Sequence, residues 1–79
     1  MSKAKMTEVL EVMANKAALS NIAKEEGTYK NMRECPFYSE LNGMEMMLKI
    51  MGIEFEYEFN EDCTKMTAIS AQGIRVEVA

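Results

Sequence analysis

The sequence predicts an α+β fold, two helices packed on one face of a three-stranded antiparallel meander in the order ααβββ. Three observations predict it. Apolar residues recur at helical spacing through the first part of the 79-residue chain. The stretch IEFEYEF, residues 53–59, alternates apolar and acidic side chains without a fault. The links between the later segments are short, which favours antiparallel neighbours.

Residues 1–6 are expected to fray. A first helix follows over about 7–26, with Thr7 as its cap and Glu8 and Glu11 near its positive end. Met6, Val9, Leu10, Met13 and Ala17 share one face, which Val12, Leu19 and Ala23 widen. Alanines at 14, 17, 18 and 23 favour helix, and Gly27 ends it. Pro36 bars a continuous helix beyond this point and biases Cys35 toward an extended backbone. A short helical turn fits 29–34, and Phe37 and Tyr38 are expected to fold back as a lid on the core.

Ser39, or alternatively Asn42, caps a second helix over about 40–51. Leu41, Met44, Leu48 and Met51 recur along it, and Met47 and Ile50 are expected to extend the same face. Met46 lies away from that line. Strands are expected over about 53–59, 65–71 and 74–78. In the first, Ile53, Phe55, Tyr57 and Phe59 point inward and Glu54, Glu56 and Glu58 outward. Lys65, Thr67 and Arg75 on neighbouring strands are positioned to relieve the repulsion within that glutamate row. Gln72-Gly73 makes the tight turn into IRVEV, where Ile74, Val76 and Val78 face inward.

The length implies one small domain, 1–79, with a small core. Such domains usually carry a staple. Cys35 and Cys63 are far apart, there is no histidine, and no zinc ligand set exists, so neither metal nor cofactor is expected. Nothing in MSKAKMTEVL reads as an export signal. Two reduced thiols in a cytoplasmic protein are expected, and oligomerisation is left as the staple. No apolar run approaches the ~20 residues of a membrane span. The net charge of −4 weighs against nucleic acid as a partner.

Two surfaces are candidates for binding another protein. One is the acidic row Glu54, Glu56 and Glu58. The other is the apolar surplus of the methionine helix, Met46, Met47 and Ile50, where two copies could join. The last strand offers a second route to a homodimer by edge pairing. A third segment, ALSNIAKEEGTYKNM, residues 18–32, resembles the first helix and turn of a helix-turn-helix DNA-binding motif, carried by Leu19, Ile22, Ala23 and Gly27. The resemblance breaks at Glu26, where an apolar residue normally packs, and at Pro36, which cuts the following helix short.

Catalysis is not expected. Cys35 has no histidine base, Cys63 lies in an acidic turn, and no triad, phosphate loop or paired-carboxylate cleft is legible. The sequence thus predicts a small non-catalytic module that binds a macromolecule, as a homodimeric accessory or regulatory protein. One alternative is an acidic inhibitor that occupies the basic groove of a nucleic-acid-binding protein. A second is a small DNA-binding regulator.

Overall fold

The computed structural model describes residues 1–79. A run with neither glycine nor proline forms α1, Lys3–Glu26. At ~1.5 Å per residue such a helix is about 36 Å long, close to the molecule's longest dimension of 37 Å. It starts earlier than the apolar pattern suggests. Ser2 is the cap, its Oγ accepting from the Lys5 N–H at 3.1 Å. Thr7 lies inside the helix and donates back to the Lys3 carbonyl. The extra turn carries Met6 into the core, where it is fully buried, so only the first two residues precede helix. Gly27, at φ 64°, ends α1. It allows the Thr28 N–H to reach the Ala23 carbonyl at 3.1 Å.

The link to the next helix contains a single 3-10 turn, Met32–Glu34, capped by the Asn31 side chain. Helix α2, Pro36–Ile50, then begins at the proline itself. Pro36 is therefore a start signal as well as a break. Its missing N–H falls where a helix has no use for one, and its fixed φ suits the first turn. Ser39 is in that first turn and donates to the Arg33 carbonyl.

Strands β1 (Phe55–Phe59), β2 (Met66–Ala71) and β3 (Ile74–Glu77) form an antiparallel sheet in the order β1-β2-β3. Tyr57 pairs with Ile69, and Ile69 with Val76. Gln72 and Gly73, both at positive φ, make the tight hairpin turn between β2 and β3. The helices precede the strands, giving the α+β arrangement ααβββ. Met6, Leu10 and Met13 of α1 and Leu41 and Leu48 of α2 meet Ile53 and Ile69, with Phe55, Tyr57, Ile74 and Val76 packed around them. Each large side chain fully buried there contributes about 1.5–3 kcal/mol. No helix is long and apolar enough to cross a membrane.

Several apolar residues lie outside this core. Val12 and Met51 are about half exposed. Met47 and Ile50 do not extend the Leu41/Leu48 face: they are turned to solvent. Phe59 keeps to the side of Tyr57, 6.3 Å away between ring centroids, yet is 51% exposed. The pairing register shifts between Glu58 and Phe59, so Thr67 has no partner on β1 and the regular ladder is broken near the end of that strand.

Candidate functional site

Helix α2 presents two apolar sides. Leu41, Met44 and Leu48 face the core. Met46, Met47 and Ile50, at 64, 57 and 75% exposure, form a contiguous patch on the opposite side. Gly43 lies one turn before Met46 and Met47 on that same side. A Cβ built there meets nothing within 4 Å. Nothing inside the molecule therefore requires glycine at 43, although glycine costs a helix interior about 1 kcal/mol relative to alanine.

The glutamate row is not uniform. Glu54, Glu56 and Glu58 are all exposed. Glu58 is engaged by Arg75, whose Nε and Nη2 donate to its two carboxylate oxygens at 2.7 and 3.1 Å. Arg75 is on β3, so its side chain reaches across β2, and the small residue beneath, Ala68, is fully buried. The same guanidinium reaches Glu77 at 3.3 Å. The hydrogen bonds from Arg75 hold the Glu58 carboxyl below the usual glutamate range. Glu54 and Glu56 form no ion pair. Of the cross-strand cations anticipated for the row, Lys65 pairs with Glu25 of α1 instead.

A groove that the sequence did not disclose opens between α1, α2, the end of β1 and the turn before β2. Its volume is about 320 Å³, and Ser20, Tyr38, Leu41, Glu45, Tyr57 and Met66 are among its walls. Glu45 lies on the inward half of α2, and one of its oxygens accepts from the Tyr57 hydroxyl at 2.7 Å. Burial, and then the hydrogen bond to Glu45, push the Tyr57 phenol well above the ordinary tyrosine range. Ser20 is 2% exposed, and its Oγ has no partner. A signal for Glu45 was present in the sequence: it is four residues after Leu41 and three before Leu48, a charged residue on the core-facing stripe.

Cys35 is buried and Cys63 exposed, both as free thiols. Residues 27–35 separate α1 from α2, and no helix starts near Thr28. That connection is unlike the short turn and immediate second helix of a helix-turn-helix. Comparison of the chain with protein-family models, with curated proteins and with solved structures found no match.

Proposed function

We propose that this chain is a small non-catalytic protein-binding module that works in the cytoplasm as a homodimeric accessory or regulatory protein, its two copies joined through the outward side of α2. The supporting observation is Gly43 beside Met46, Met47 and Ile50. Exposed apolar residues scattered singly are ordinary, but a contiguous patch on one helix side is a common mark of an interface. A glycine with open space above it, at the edge of that patch, lets a second helix approach closely. A twofold pair would bring Gly43 of one copy against the large side chains of the other.

Light scattering after size exclusion tests the reading with two variants. Ile50→Glu places a charge in the patch and Gly43→Leu fills the notch. Gly43 has open space above it and Ile50 is 75% exposed, so the fold is retained by circular dichroism while the dimer mass falls to that of one chain. Dimer mass unchanged in both variants would remove α2 as the interface.

The acidic-inhibitor reading draws on Glu54 and Glu56, which carry no ion pair, with Glu61 and Asp62 exposed nearby. Glu58 contributes little to it, because Arg75 neutralises that end of the row. Replacing Glu54 and Glu56 by lysine abolishes capture of a basic partner if this reading holds, and leaves capture intact if the apolar patch carries the binding.

A further inference from the structure

We propose that the groove between α1, α2 and β1 binds a small organic ammonium ion with an apolar body. The inference is independent of the dimer, since the groove is on the inward side of α2 and the apolar patch on the outward side.

The chemistry of the walls selects the ligand. Leu41, Met66, Met32 and Phe59 give an apolar lining for a hydrocarbon or aryl body. Glu45 supplies the only negative charge on those walls. Its carboxylate is half-buried and satisfied on one oxygen alone, by the Tyr57 hydroxyl at 2.7 Å, with no cation of the protein paired to it. A partly desolvated carboxylate in this state gains most from a charge-assisted N–H donor. The aromatic rings add to that preference. Tyr57 and Phe59 stand 6.3 Å apart between centroids, tilted at 56°, and Tyr38 lines the same groove. An ammonium group that meets the face of one of these rings gains a further attraction through the ring quadrupole.

The other charged residue on the walls, Lys24, is exposed. Its Nζ donates to the Thr64 carbonyl at 3.4 Å, away from Glu45. Ser20 remains as a buried hydroxyl without a partner. Asn21, by contrast, is fully committed to the Met66 backbone and is not free to bind.

Proton–nitrogen correlation spectra recorded during titration with benzylammonium test the proposal, with benzyl alcohol and benzoate as controls. The expected result is saturating shifts centred on Ser20, Leu41, Glu45 and Tyr57, with affinity at least ~10-fold above that of benzyl alcohol. Glu45→Gln keeps an acceptor for Tyr57 and so preserves the wall, but removes the preference for the cation. Glu54→Gln deletes the same charge from the sheet face and leaves binding unchanged, which separates a site from general attraction to an acidic protein. Absence of saturation, equal affinity for benzyl alcohol, or a preference that survives Glu45→Gln would each overturn the proposal.

Discussion

The side-chain amide of Asn21 holds both backbone groups of Met66. Nδ2 donates to the Met66 carbonyl at 2.9 Å, and Oδ1 accepts from the Met66 N–H at 3.2 Å. One residue of α1 thus supplies the pair of bonds that a neighbouring strand would otherwise provide. The contact is made where β1 and β2 lose regular register, so it pins the start of β2 to the helix layer. Asn21→Ala leaves the two Met66 groups unpaired in a part-buried position and is expected to cost about 1–3 kcal/mol in a urea melt. A loss below about 0.5 kcal/mol would mean that the sheet does not depend on this link.

Met6 and Val12 both stand on α1 and both are apolar, yet only Met6 is buried. Met6→Ala is expected to destabilise by about 2–5 kcal/mol. Val12→Ala is expected to stay within about 0.5 kcal/mol of the parent. Equal effects at the two positions would contradict the helix orientation, and a neutral Met6→Ala would restore the frayed N-terminus expected from the pattern.

That pattern conveyed some features and concealed others for local physical reasons. The alternation of residues 53–59 was legible because a strand separates its two faces residue by residue. The register shift beside Phe59 was not, because it follows from pairing with Met66, a partner the local sequence does not reveal. Pro36 was read only as a break. Whether a proline ends one helix or opens another depends on what precedes it, and here a 3-10 turn lets it open α2. The inward arc of α2 was ambiguous because methionine, leucine or isoleucine occurs on every side of it. Glu45 then went unnoticed, since the aromatic hydroxyl that meets it comes from β1, twelve residues later.

The Glu58–Arg75 pair makes an acid-side prediction. The folded carboxyl titrates below its ordinary value of 4.5 because Arg75 donates to it. A lowered folded value means that the pair's contribution is present above the ordinary glutamate range and is lost as pH falls through the folded value. Side-chain carbon shifts of Glu58 should therefore titrate below 4.5 in the parent and return toward it in Arg75→Gln. Both groups are exposed and solvent screens them, so the accompanying change in stability is small. An unshifted Glu58 in the parent would show that Arg75 does not cross the central strand in solution.

The thiols are expected to divide by burial. Cys63 is exposed in the turn before β2, and Cys35 is enclosed ahead of α2. A soluble alkylating reagent should modify Cys63 quickly and Cys35 only when the chain unfolds. Equal labelling of both in the folded protein would contradict the burial of Cys35.

Joining of two chains through the Gly43, Met46, Met47 and Ile50 side of α2 is tested most directly by sedimentation equilibrium of the unmodified protein across the micromolar range. The expected mass is twice 9.0 kDa, shifting toward 9.0 kDa only on dilution. A mass of 9.0 kDa at every concentration would contradict it and leave the apolar side of α2 without a second copy to cover it.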